Sequence, residues 1–213
     1  MPQGVRGTRA ATRPTIFSRQ HLVCPTPRLL ARRVDRETGE ITDTPRMVWS
    51  KYLGQQVPAR CQSNSCPVCV ILNAKSKAWT IYKKGRPTHT MRLGLVGDDL
   101  PTISKQMERL RGQIRKVYPT FEWLWCVETN PQGTGNHVHA YLHVADDTFN
   151  PKLVEHLWSA DMHVQRTPAR STVNYYGYQF KSLADPEEAP KFLALNGTPS
   201  KQYIEHHSRG FFR

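Results

Sequence analysis

Near the middle of the chain, Asn136-His137-Val138-His139-Ala140-Tyr141-Leu142-His143 alternates polar or aromatic residues with apolar ones. That is the period of a half-buried strand, and it sets His137, His139, Tyr141 and His143 on one face and Val138, Ala140, Leu142 and Val144 on the other. Same-face neighbours lie roughly 7 Å apart at Cα, so the His137 and His139 imidazoles can converge on one ion. Glu128 ends the preceding apolar run, and a hairpin through Asn130-Pro131-Gln132-Gly133-Thr134-Gly135 brings its carboxylate alongside. Two imidazoles and one carboxylate leave positions open for phosphate oxygens and water, which suits Mg²⁺ or Mn²⁺. A lone His-x-His pair commonly just decorates a strand, and the carboxylate one hairpin away is what argues for metal. His143, roughly 20 Å along the strand from His137, fits a DNA contact or a packing residue better than a third ligand.

A second group of reactive side chains lies in Val173-Asn174-Tyr175-Tyr176-Gly177-Tyr178-Gln179-Phe180-Lys181. Read as a helix over 171–183, it puts Tyr175, Tyr178 and Lys181 on one face and leaves Tyr176 and Phe180 to pack. Aromatics filling a core are the plain alternative. A phenol has a pKa near ~10, so attack on phosphorus needs assistance. Lys181, one turn from Tyr178, can stabilise developing negative charge, and a metal can neutralise the phosphate. A phosphotyrosine keeps the energy of the broken phosphodiester, so a 3′-hydroxyl can reseal it without ATP. Tyr178 is the expected nucleophile and Tyr175 the reserve.

Cys61-x4-Cys66-Pro67-x-Cys69 carries a Cys-Pro-x-Cys knuckle that presents two thiolates to zinc, with Cys61 as third ligand. For the fourth, Cys24 is the first choice and His21 or His89 the next. Zinc here would tie residues 20–70 onto the rest of the protein, with no direct part in catalysis. Three reduced thiols at the start of a helix are the competing reading.

These residues need a scaffold. Residues 1–20 form a basic arm without apolar period, and 21–86 a Cys-rich extension in which no element can be placed before a helix that begins near the cysteines and stops before Gly85-Arg86-Pro87. From His89 the pattern reads strand (89–96), amphipathic helix (100–117, with Ile103, Met107, Leu110, Ile114 and Val117 spaced by three and four), strand (122–128), strand (137–144), helix (151–159), strand (162–166) and helix (171–183). This order predicts an α+β fold. Its core, residues 87–184, is a ferredoxin- or RRM-like split βαβ unit, with an antiparallel-rich sheet bearing the His-x-His strand and helices on one face. A basic, aromatic tail follows over 185–213.

The chain has 213 residues, with 30 Lys and Arg against 17 Asp and Glu, a formal charge of +13. The excess runs throughout and favours a polyanionic partner, nucleic acid first. No apolar run is long enough for a membrane span and no secretory signal is evident, so a cytoplasmic protein is expected. There five cysteines serve as thiols or metal ligands more often than as disulfides.

Together, Glu128, His137-Val138-His139 and Tyr178-Gln179-Phe180-Lys181 resemble the HUH endonucleases, in particular the replication initiators of rolling-circle plasmids and single-stranded DNA phages and viruses. The resemblance covers residues 87 to 184. It implies His137, His139 and Glu128 as ligands of Mg²⁺ or Mn²⁺, Tyr178 as nucleophile and Lys181 as its electrostatic partner. It also implies single-stranded or hairpin origin DNA as substrate and a host polymerase as partner, in a bacterial cytoplasm or, for a eukaryotic virus, the host nucleus. The tyrosine follows the histidines, which departs from conjugative relaxases and favours an initiator or a single-strand transposase. No Gly-x-x-x-x-Gly-Lys-Ser/Thr loop occurs, so unwinding falls to a separate helicase. The ending His206-His207-Ser208-Arg209-Gly210-Phe211-Phe212-Arg213 resembles the tails of small phage and plasmid initiators, and Arg209 and Arg213 are candidate phosphate contacts. Competing readings are a nonenzymatic RRM-like nucleic-acid-binding module with a structural zinc and a zinc-dependent transcription factor, though no recognition-helix motif or paired finger spacing supports the latter.

Overall fold

The computed structural model describes residues 24–51, 53–129, 135–145, 147–158, 161–196 and 205–212. The basic arm over 1–20, His21, Asn130 to Thr134 of the hairpin loop, and Arg213 lie outside them. The described chain is mixed α+β, with antiparallel sheets and several helices.

Two small hairpins come first, β1 (Leu29–Val34) with β2 (Ile41–Pro45) and β3 (Met47–Ser50) with β4 (Gln55–Pro58). They occupy a stretch in which the sequence suggested no element, and the reason is physical. Nearly every residue in them is exposed, so no face is buried and no alternation marks the strands. Helix α1 (Pro67–Thr80) follows, with proline in its first turn where a missing N–H costs nothing. It runs into one turn of wider helix over Ile81–Gly85. Gly85 is needed at the exit, because a Cβ there would lie 2.8 Å from the Phe211 ring.

The main sheet has five antiparallel strands in the order β8-β5-β7-β6-β9, from β5 (His89–Val96), β6 (Glu122–Thr129), β7 (Asn136–His143), β8 (Met162–Arg166) and β9 (His206–His207). Between β5 and β6 runs α2 (Leu100–Val117), started by Asp99, whose side chain accepts the Thr102 N–H at 2.9 Å. Its apolar stripe, Ile103, Met107, Leu110 and Ile114, is fully buried. α3 (Pro151–Glu155) lies between β7 and β8. These helices bury the sheet face made by Leu93, Trp123, Trp125, Val138, Ala140 and Leu142.

The opposite face is covered too, which corrects the expectation of helices on one face alone. Leu124, Cys126 and Tyr141 pack against Val70, Ala74 and Ala78 of α1, Tyr176 of α4 (Val173–Gly177), and Phe192 of α5 (Ala189–Asn196). Strand β6 reads almost wholly buried because both its faces are occupied. Its outer edge is closed by short β9, by Ser208, which accepts from the Trp123 N–H, and by the Asn196 carboxamide. The latter accepts from Val127 N at 2.6 Å and donates to Val127 O at 2.7 Å. The helix expected over 171–183 is in fact α4 followed by a tighter three-residue-per-turn segment over Tyr178–Ala184. Among the described residues no helix is long and apolar enough to cross a membrane.

Candidate metal centre and tyrosine site

Pairing of β6 with β7 puts Glu128 directly opposite His137 and Cys126 opposite His139. All three ligand side chains therefore leave the sheet on the face that α4 and its extension partly cover. Glu128 Oε2 lies 3.3 Å from His137 Nε2 and 3.1 Å from His139 Nε2, and the two imidazole nitrogens are 3.1 Å apart. Three donor atoms within 4.8 Å of one another form a group that can hold a metal ion. The Nδ1 of His137 is buried without a partner, so that ring is oriented by its packing and its Nε2 contacts.

Burial pushes the Glu128 carboxyl upward, but hydrogen bonds from His137, His139 and Lys181, with the Lys181 charge, outweigh it and hold the group ionised, well below the usual carboxylate range. Burial lowers His139 below its ordinary value despite the neighbouring carboxylate, which keeps the ring neutral as a ligand must be. The donor set, two imidazoles and an anionic oxygen, fits a divalent cation with open positions.

Lys181 reaches the same carboxylate oxygen, Oε2 of Glu128, and its Nζ also stands 4.4 Å from the centre of the Tyr178 ring. Tyr178 is 58 % exposed and meets the His139 ring edge-on at 6.1 Å between centroids. The three-residue turn is what aligns Tyr178 with Lys181, since positions i and i+3 eclipse in such a segment. Tyr175 points elsewhere, its hydroxyl 3.5 Å from Thr90 Oγ1, though both tyrosines line one cavity of about 560 Å³ that also takes in Arg92, His139, His163 and Gln179. Tyr178, Lys181, Glu128, His137 and His139 thus form one cluster.

Other expected residues are not at this cluster. His143 pairs with Glu122 at the opposite end of β7. Exposed Arg209 sits in the C-terminal turn beside that same end of β6, where Ser208 bonds Trp123, and Arg213 is outside the described residues. Two residues at the site had no motif to announce them. Ser182 donates to Glu128 Oε1 at 2.8 Å, and its only sequence signal is adjacency to Lys181. Gln179 is 3 % exposed with neither carboxamide atom hydrogen-bonded.

The second metal-capable group unites Cys24, Cys61, Cys66 and Cys69. Sulfurs of Cys61 and Cys69 lie 3.5 Å apart, Cys69 and Cys24 3.5 Å, and Cys24 and Cys66 3.8 Å. Tetrahedral zinc with its usual bond lengths spaces its sulfurs by roughly 3.8 Å. Cys24 thereby completes the four-sulfur group, whereas the His89 ring lies tilted against Phe149 in another part of the molecule. Burial opposes a thiolate at Cys24, yet N–H groups of Cys61 and Thr26 and the neighbouring thiols bring it down to about 6, while burial pushes Cys69 up to about 12. The fifth cysteine, Cys126, is buried in the sheet core, and its thiol is pushed well up by burial.

Comparisons with models of protein families, with curated proteins and with solved structures returned no match to this chain.

Proposed function

We propose that this protein is a metal-dependent DNA endonuclease and strand transferase that starts rolling-circle replication by nicking single-stranded origin DNA. One observation carries the reading: an exposed tyrosine, a lysine and a two-histidine, one-carboxylate group, from three separated stretches of sequence, meet at one end of the sheet. The strand–helix–strand–strand–helix–strand order with neighbours β8-β5-β7-β6 supports a ferredoxin-like core for it. The four-cysteine group supports a zinc-bound N-terminal extension.

In this reading the Tyr178 phenolic oxygen attacks the scissile phosphorus. The new O–P bond replaces the bond to the 3′-oxygen, which leaves with a proton as a free hydroxyl, and the DNA keeps a 5′-phosphotyrosine link. The phenol proton passes to solvent as attack begins, and Lys181, beside the ring, offsets the negative charge that develops on the phenolic oxygen. Glu128, His137 and His139 would hold Mg²⁺ or Mn²⁺, which when bound supplies positive charge to the phosphate. Attack by a 3′-hydroxyl on the phosphotyrosine reverses the step and joins ends.

A net charge of +13 suits a single-stranded or hairpin origin, and a separate helicase and the host polymerase would supply unwinding and synthesis. A single-strand transposase would use the same residues and differ in its DNA ends. The test is incubation of the protein with a single-stranded DNA library and Mn²⁺, followed by denaturing electrophoresis for covalent adducts. Adducts in the native protein and none in Tyr178→Phe are expected, and their absence from the native protein would overturn the reading.

A further inference from the structure

Most of the large apolar side chains exposed among the described residues lie between Leu29 and Leu53, on the two N-terminal hairpins. The hairpins form sheets of their own, yet their roots are locked together. Arg46 N–H donates to Arg28 O at 2.7 Å, Ala59 N–H to Arg46 O at 2.7 Å and Arg28 N–H to Ala59 O at 2.8 Å, a closed ring of backbone bonds. Val48 and Val57, cross-strand partners on one face of β3–β4, form with Leu72 of α1 the apolar wall of a cavity of about 700 Å³. Arg28, Arg46 and Arg60 line the same cavity, and no described acidic residue does. The described ion pairs of arginine are those of Arg32, Arg111 and Arg115, so these three guanidinium groups have no carboxylate partner among the described residues. Arg28 donates instead to neutral Gln62 Oε1 at 2.7 Å. Three like charges anchored on one backbone ring repel one another, and an anion among them relieves that repulsion.

We infer that this cavity docks an acidic peptide segment of another protein, which sets an apolar side chain on the Val48, Val57 and Leu72 wall and its carboxylates on the three arginines. The inference does not depend on the nuclease reading. Guanidinium forks match carboxylates with paired hydrogen bonds, and the volume suits a few side chains of a docked segment. The occupant does not come from the longest stretches outside the described residues, since 1–23 and 197–204 contain no Asp or Glu. A single strand of nucleic acid would also meet the arginines, but such strands are held by bases stacked on aromatic rings. None of the described residues lining the cavity is aromatic, and Trp49 lies on the other face of its strand from Val48.

The test is a display of short random-sequence peptides probed with the full chain, followed by fluorescence anisotropy of the best binder. Enriched peptides should carry Asp or Glu beside Leu, Ile or Phe. Replacing their carboxylates by amides, or their apolar residue by Ser, should weaken binding roughly tenfold or more. Arg46→Gln and Arg60→Gln, made together at two exposed positions, should weaken it by roughly the same factor with the melting curve unchanged. Trp49→Ser, on the other face of the hairpin, should bind the peptide as the native chain does. No enrichment, enrichment of peptides without carboxylates, or native peptide affinity in the double arginine variant overturns the site. Oligothymidylate that displaces the peptide and loses affinity in the double variant to the same extent would assign the surface to nucleic acid and overturn the peptide.

Discussion

The two metal-capable groups of this molecule are built on opposite principles. In the cysteine group four sulfurs face one another 3.5–3.8 Å apart, so a tetrahedral ion there has no position left for anything else. It joins the loop at Cys24 and Cys61 to the first turn of α1, beneath hairpins whose side chains are almost all in solvent and which bury little of their own. The histidine group supplies three donors from the ends of two fully packed strands, and what stands around it is a tyrosine, a lysine and an open cavity. Where packing is thin, the metal-capable group is closed, as a stabilising site would be. Where packing is dense, the group leaves positions open, as the proposed chemistry would need.

That contrast breaks most readily at the ligands. Replacing both His137 and His139 with Ala should abolish Mn²⁺-dependent adduct formation at every metal concentration, with zinc content by elemental analysis unchanged. Adducts at native rate in the double variant would remove the metal from the mechanism. Cys66→Ser should do the converse, losing zinc and stability but keeping adduct formation below the melting transition. A loss of even ~3 kcal/mol lowers the midpoint by roughly 6–12 °C for a chain of this size. A native melting curve in a zinc-free variant would show that the thiols fold without an ion. Glu128→Gln keeps shape but loses charge and should weaken metal affinity in a way that excess Mn²⁺ partly restores, as read by metal titration of adduct yield. Ser182→Ala, which removes only a hydrogen bond to the ligand carboxylate, should cost about tenfold to a hundredfold in metal affinity. The smallest local effect is expected of Arg209→Ala, at the end of β6 opposite the histidine group, since one lost phosphate contact reduces the slope of log affinity against log salt by roughly 0.7.

The histidine group was legible because the two faces of its strand differ in character, apolar on one side and polar or aromatic on the other. Val138, Ala140 and Leu142 face one core and Tyr141 the other, which fixes where His137 and His139 must point. The long amphipathic helix was equally legible, as all four residues of its buried stripe follow the three-and-four spacing. Cys24 could only be ranked among candidates, because its partners lie 37 to 45 positions away and no local pattern encodes that closure. The hairpins over 29–58 were invisible, their apolar side chains being exposed, Trp49 at 64 % among them. Ser182 was silent for a different reason. A residue whose part is a hydrogen bond to a distant carboxylate has no periodicity to betray it.

The closure of strand β6 sets a schedule. Glu128 rides on a strand whose inner neighbour, β7, follows it at once along the chain, but whose outer edge is completed by partners 69 and 85 residues further on, Asn196 and Ser208. During synthesis from the N-terminus the carboxylate, both histidines and the tyrosine all leave the ribosome while that edge still presents unpaired N–H and C=O groups. Sealing waits for the segment around His206 to Ser208. Assembly of the reactive cluster is thereby tied to the arrival of the last described residues. A nascent chain released short of them would carry the full set of reactive side chains on a sheet with a sticky border, prone to pair with another copy.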